Sequence, residues 1–452
     1  MTKCRMPGLK RSQRIARFVS MAFCALLATD ASADDWTRFL GTNGDSTDNH
    51  ANVPVTWSES ANLKWKTAIP GPGASSPIVL GDRLFLTCYT GYGVKKPVDR
   101  KTADQTAGNI EDLTRHLICI DRSTGEICWQ KPVSNHEVKN EDPYKSYLTY
   151  HGYATNTPVT DGKLIFAFFG KAGVIAFDLE GTERWRRSFE GEPNKERWGS
   201  ASSPLLYGDQ LIVNAIDECG KILSINKSDG EVKWEFDAES RMAYSTPNLV
   251  KSSEGTTELV VAIPEKVYGI DPENGKQKWH AKTNLMNEVN ASIMVQGDVA
   301  YIYGGYQGVG SLAVRAGGKG DVTDSHVLWS SRDTSYVSTP VFKDKHIYWI
   351  DENGIAYCVN AETGSRIYRE RVPGLQSGKG IKLFASMVLI GDRIFTVSRN
   401  AGTFVWSADQ DKFSLIGRNV IDGDESDFNG TPAISGDQIF LRSNRFLYCI
   451  SK

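Results

Sequence analysis

The sequence is short of the residue patterns that mark most chemistries. Its eight cysteines are scattered over 452 residues, none beside another and none at the spacing of a zinc site. The histidines, His50, His116, His136, His151, His280, His326 and His346, show no ligand spacing either. Gly-x-Ser-x-Gly, His-Glu-x-x-His and phosphate-loop signatures are missing, and Gly318-Lys319 lacks both the preceding glycine and the following Ser or Thr that a phosphate loop needs. Serine-esterase, zinc-peptidase and nucleotide-hydrolase chemistry therefore has no foothold. Lys and Arg total 52 against 54 Asp and Glu, so there is no basic footprint for nucleic acid. No apolar run approaches the ~20 residues of a bilayer-spanning helix.

The longest apolar stretch, Phe18 to Ala28, has another reading. It follows Lys3, Arg5, Lys10, Arg11, Arg14 and Arg17 and precedes Ala31-Ser32-Ala33. That is the layout of a secretory signal peptide over residues 1–33, cut before Asp34, and it predicts a periplasmic or secreted protein. Cys24 follows Met21-Ala22-Phe23, which lacks the small residue expected ahead of a lipidated cysteine. Removing this leader, which carries six bases and only Asp30 as an acid, moves the net charge from −2 to about −7, a value that favours solubility.

What the chain has in abundance is a repeat. A module of the form small-x-Asp/Asn-x-x-x-Gly-x-x-x-Trp runs from Cys119 to Trp129, from Ser224 to Trp234 and from Gly269 to Trp279. It recurs from Cys358 to Tyr368 with Tyr in the last place, and one residue shorter from Ala176 to Trp185. In each copy the Asp or Asn side chain holds a turn closed, and Gly supplies the positive φ that the loop needs, so the module is a β-hairpin. The small residue leaves room, and the Trp offers a large face to a neighbouring unit. Trp65, Trp129, Trp185, Trp234, Trp279 and Trp329 are the expected docking residues.

A second module precedes each hairpin: Ser or Thr, usually Pro, a short apolar strand, a tight turn and another strand. Its eight copies start at Ser76, Thr157, Ser203, Thr246, Ser292, Thr339, Ser386 and Thr431. Eight units of four short antiparallel strands, with no helical periodicity between them, predict an all-β, eight-bladed β-propeller rather than a sandwich, which has no reason to repeat its sequence. The last unit ends at Leu447 to Lys452 without its Trp strand, while Leu63-Lys64-Trp65-Lys66 is an orphan Trp strand ahead of the first unit. The amino-terminal strand is thus expected to complete the last blade and close the ring. Residues 34–56 read as an extension and 57–452 as the propeller.

Cys119, Cys358 and Cys449 occupy the small-residue slot and read as buried packing. An alternative for Cys119 is a cross-strand disulfide with Cys128 in an oxidising compartment. Two insertions, Thr90 to Arg115 and Lys131 to Thr155, carry most of the irregular chain. The second holds Tyr144, Tyr147, Tyr150, His151 and Tyr153, either a recognition surface or a loop folded against its own propeller. Trp198, Arg241, Tyr244, Asn290, Tyr336 and Lys382 precede first strands and are expected to line the mouth of the central funnel, where a carboxylate-bearing small molecule or a peptide strand would fit.

The Asp-x-x-Thr-Gly-x-x-x-Trp hairpins resemble the pyrroloquinoline quinone (PQQ) repeat of quinoprotein-type propellers. Within that group the chain looks most like the secreted bacterial PQQ-binding-like propellers often named after BamB. Trp36 to Gly41, His151 to Ala154, Trp198 to Pro204 and Ala313 to Thr323 are similar to segments of those proteins. The resemblance implies protein partners of the cell envelope, with outer-membrane assembly as the role, and PQQ as a cofactor by likeness only. The quinoprotein enzymes are implied to need adjacent cysteines, a calcium ion and a catalytic Asp. Here no such cysteine pair exists, and Asp422 to Asp427 departs from a calcium loop in having no Gly at the sixth place and Ala433 at the twelfth. The reading is a non-catalytic, monomeric binding propeller. A PQQ- or planar-ligand-binding redox or sensor protein is the alternative, and an enzyme on carbohydrate polymers, lacking a paired-carboxylate signature, a third.

Overall fold

A computed structural model describes residues 35–94, 107–134, 152–189, 198–240, 242–305, 310–375 and 383–452. Eight four-stranded antiparallel sheets form the eight blades of a propeller. Blade 1 comprises Ile78–Leu80, Arg83–Thr90, Thr114–Asp121 and Ile127–Ser134. Blades 2 to 7 follow over 159–187, 205–237, 248–282, 294–331, 341–371 and 388–419. Blade 8 takes three strands from 433–450 and its outer strand, Leu63–Ala68, from the other end of the chain. Trp65 lies opposite Cys449 in that pairing, so the ring closes as the orphan strand predicts.

The register explains the small-residue slot. Cys119 faces Trp129, Ala176 faces Trp185, Ser224 faces Trp234, Gly269 faces Trp279 and Cys358 faces Tyr368. A bulge next to each pair shifts the outer strand. Each ring then leans over its small partner towards the next blade. The indole N–H of Trp65 donates to the Arg122 carbonyl (3.0 Å), that of Trp129 to Leu179 (3.1 Å), that of Trp185 to Lys227 (2.9 Å), that of Trp234 to Pro272 (2.9 Å) and that of Trp329 to Ala361 (2.8 Å). Each acceptor belongs to the hairpin turn of the following blade. The turn glycine is the floor on which the ring rests: at Gly230, with φ of +78°, a Cβ would stand 2.6 Å from Trp185. One glycine thus serves the turn's backbone and the neighbour's side chain together.

Not every joint is built this way. Trp279, fully buried, donates instead to Glu258 Oε2 of its own blade (2.7 Å), which also accepts from the Gly317 amide (2.9 Å). That anchor lets Gly320–Asp321 add a fifth, parallel strand outside blade 4. Blade 7 has no outer-strand Trp, since Val405 faces Gly417. Trp57 from the amino-terminal segment fills the gap: its ring stacks on Phe395 at 6.3 Å, while its amide donates to Asn419 Oδ1 (3.0 Å) and the Asn419 amide group to the Val55 carbonyl (2.9 Å).

The repeated Ser/Thr has a role that its sequence position alone does not reveal. The Ser76 amide donates to the Thr157 hydroxyl, Thr157 to Ser203, Ser203 to Thr246, Thr246 to Ser292, Ser292 to Thr339, Thr339 to Ser386 and Ser386 to Thr431, over 2.9–3.2 Å. Seven blade-to-blade links form a collar around the axis, all running in one direction. Between Thr431 and Ser76 the eighth is missing, and among the described residues the Ser76 hydroxyl has no partner.

Residues 35–57 form a strap across the far end of the channel. Trp36 bridges Val79 of blade 1, the Thr160 amide of blade 2 donates to the Thr37 carbonyl (3.0 Å), and Arg38 reaches Asn248 of blade 4 (3.3 Å). The strap then crosses to blade 7, where Thr47–Asp48 pairs in parallel with Leu389 and Ile390.

Candidate binding funnel

On the side opposite the strap the channel widens into a funnel of about 980 Å³ of open space. Its collar-level wall includes Ser203, Ser292, Thr339, Ser386 and Thr431, and Phe39 of the strap joins the lining. Of the residues expected at the mouth, Trp198, Tyr244, Asn290 and Tyr336 do line it. Trp198 and Tyr244 lie 5.8 Å apart between ring centroids, and the Tyr336 hydroxyl donates to Glu288 (2.9 Å). Arg241, Lys382, Tyr150 and His151 lie outside the described residues. Phe384 and Phe39 complete the aromatic wall. Phe39 was not foreseen, because nothing in a non-repeating segment gives its phase relative to the blades.

Several expectations resolve against function. Tyr153, a candidate for a recognition loop, is buried against Tyr89 and Tyr92 at 5.7 and 6.0 Å, so this end of the insertion folds onto its own propeller. Tyr144 and Tyr147 fall outside the described residues. Cys119 and Cys128 are both free thiols, with Trp129 rather than Cys128 directly opposite Cys119. Cys119 is buried while Cys128 is exposed, and burial, followed by the nearby Cys128 sulfur, pushes the Cys119 thiol far up. The acidic turn near Asp424 is occupied by protein donors. Asp424 accepts from the Tyr448 hydroxyl (2.7 Å) and from Ser426 (2.6 Å), and Asp427 pairs with Arg399 (2.7 Å).

The funnel's chemistry bears on PQQ. Every described lining residue is uncharged. A planar tricarboxylate needs cations for its acid groups, and its companion calcium needs clustered carboxylates; among the described residues no group of His, Cys, Asp or Glu is placed to hold a metal. These residues do not fit PQQ with calcium. They fit instead a ligand that stacks on aromatic rings and meets neutral hydrogen-bond groups.

Fold and funnel define a closed eight-bladed propeller with an axial pocket. The chain belongs to the family of outer membrane protein assembly factor BamB, whose model matches residues 114–370. Among solved structures it is similar to BamB from Moraxella catarrhalis, with a TM-score of 0.57 at 14% identity over 86% of this chain and 99% of that one. It is also similar to the computationally designed Ika8 protein, with a TM-score of 0.53 at 11% identity over 85% of this chain and 98% of the other. At such identities the likeness shows the fold alone. A comparison with curated proteins finds no match.

Proposed function

We propose that the protein is a non-catalytic scaffold of the cell envelope that binds a protein partner at its funnel mouth, in the service of outer-membrane protein assembly. The uncharged, aromatic funnel held on a rigid collar is the observation that carries this reading. Trp and Tyr give large contact area at small entropic cost, which suits recognition of an extended chain or loop. Family membership supports the assembly role. The leader-like residues 1–33 support the compartment.

The test is site-specific photo-crosslinking in intact cells. A photoreactive residue replacing Trp198 or Tyr336 should capture a component of outer-membrane assembly, whereas one replacing Asn49 on the strap should not. Capture from Asn49 alone, or dye reduction by the purified protein with PQQ and calcium, would overturn the proposal.

A further inference from the structure

The collar and the seam between blades 8 and 1 share an unusual excess of hydrogen-bond donors. In the seven links each Ser or Thr oxygen accepts from a neighbouring amide, and none of these hydroxyls donates to a described group. All eight collar residues are buried, and five of them line the funnel. An unmatched buried donor is costlier than an underused oxygen lone pair, so such a collar calls for acceptor atoms from outside the chain.

At the broken link stands Arg442. Its side chain is completely buried and has no acidic partner among the described residues. Nη1 donates to the Ser75 carbonyl (3.0 Å), the Ser75 hydroxyl (2.8 Å) and the Thr87 carbonyl (2.8 Å), while Nε and Nη2 have no acceptor among the described residues. Burial pushes the guanidinium down to about 10, so it stays charged at neutral pH. Cys88 nearby does not neutralise it, because burial pushes that thiol up to about 11 although Arg442 pulls the other way. Arg442 and Ser76 do not themselves line the funnel; they lie one layer behind wall residues at the seam. Gly430, beside Thr431, makes room for the arginine stem: a Cβ there would stand 2.6 Å from Arg442 Cγ. Gly73, beside Ala74, covers its tip: a Cβ there would stand 3.1 Å from Nη2. Thr431 and Ala74 both line the funnel.

We propose that the seam between blades 8 and 1 is an anion site that takes a carboxylate through the funnel, with Arg442 supplying the charge and the Ser76 and Thr431 hydroxyls the remaining donors. A carboxylate offers acceptors only, and O–H and N–H donors to an ionised oxygen form the stronger class of hydrogen bond. An amide or a sugar brings donors of its own, which this seam does not need. The inference deepens the funnel reading above and rests on it for the route of entry. The carboxylate belongs either to a free small acid or to the end of a peptide chain.

The mature protein is titrated with benzoate and, separately, with benzamide, followed by calorimetry and thermal shift. Benzoate is expected to bind at least ten-fold more tightly. Arg442→Met should abolish that preference, and Arg366→Met, on the outer edge of blade 6, should keep it. Ser76→Ala removes a hydroxyl that makes no bond in the structure, so it should fold as the wild type and weaken benzoate several-fold. It decides the matter if Arg442→Met does not fold. An N-acetylated alanine tripeptide with a free carboxyl, compared with its amide, separates the sources: binding tighter than benzoate points to a chain end, weaker binding to a free acid. Equal binding of benzoate and benzamide overturns the proposal, as does a preference that persists in Arg442→Met or an unchanged Ser76→Ala. A funnel mouth that captures no partner by crosslinking overturns the scaffold role and leaves this result standing.

Discussion

The outer girdle and the inner collar of the propeller solve the same problem, joining one blade to the next, in opposite ways. At five joints of the girdle, those of Trp65, Trp129, Trp185, Trp234 and Trp329, the ring rests on a turn glycine and its N–H finds a carbonyl of the next blade, so these joints are complete in themselves. In the collar seven amides are satisfied while the hydroxyl protons meet no acceptor among the described residues, and the circle stops one link short. The completed joints thus lie at the rim and the unmatched donors near the axis.

The sharpest way to break this contrast is at the girdle. Trp234→Ala deletes a buried ring and its bonds to Gln210 and Pro272, and should destabilise the protein by about 4 kcal/mol in denaturant unfolding. Trp57→Ala tests whether the strap's ring is a true member of the girdle. A loss of about 3 kcal/mol is expected, and a value below about 1 kcal/mol would make the strap mere covering. At the collar, Thr157→Val keeps the shape but strands the Ser76 amide, for a cost of about 2 kcal/mol. Ser76→Ala, at the open link, should change stability by less than about 0.5 kcal/mol. Equal effects at these two positions would mean that the circle is closed after all.

A smaller effect concerns acid. Burial raises the Asp424 carboxyl, but bonds from Ser426, Ser443 and Tyr448 outweigh it and hold the group below its ordinary value. Its folded form therefore binds a proton less readily than the unfolded chain. The stabilisation is present above the unfolded carboxylate value of about 4 and is lost as the pH falls through the lower folded value. Asp424→Asn should flatten that part of the acid limb in a pH series of melting temperatures. An unchanged limb would show that these bonds do not favour the ionised form.

The blade count, the closure and the docking role of Trp65, Trp129, Trp185, Trp234 and Trp329 were legible in the sequence, because turn chemistry and side-chain size repeat with the structural unit. Trp198, Tyr244, Asn290 and Tyr336 were placed at the mouth from repeat phase alone, since each precedes a first strand whose position the Ser/Thr-Pro module marks. Phase says nothing of bonds between units, so the collar was invisible although every one of its residues had been singled out. Trp57 and Phe39 belong to a segment with no repeat to align. Trp279 was misread in detail because its joint uses a buried acid, Glu258, that the other blades lack. Arg442 did carry a signal. The equivalent position, two residues after the aromatic or aliphatic residue facing the small slot, holds Thr87, Phe168, Asn214, Ala262, Tyr303, Ile350 and Val397 in the other blades. One arginine among seven uncharged side chains marks a site that the generic blade does not explain.

The strap has a mechanical consequence. An ordinary repeat array loses its end units first, since a terminal unit has only one neighbour. Here blade 8 is knit from both chain ends, and the segment just ahead of its outer strand is pinned to blades 1, 2, 4 and 7. No blade is free to fray by itself, so rupture anywhere must propagate, and the disc should fail in a single cooperative event rather than by stepwise unravelling.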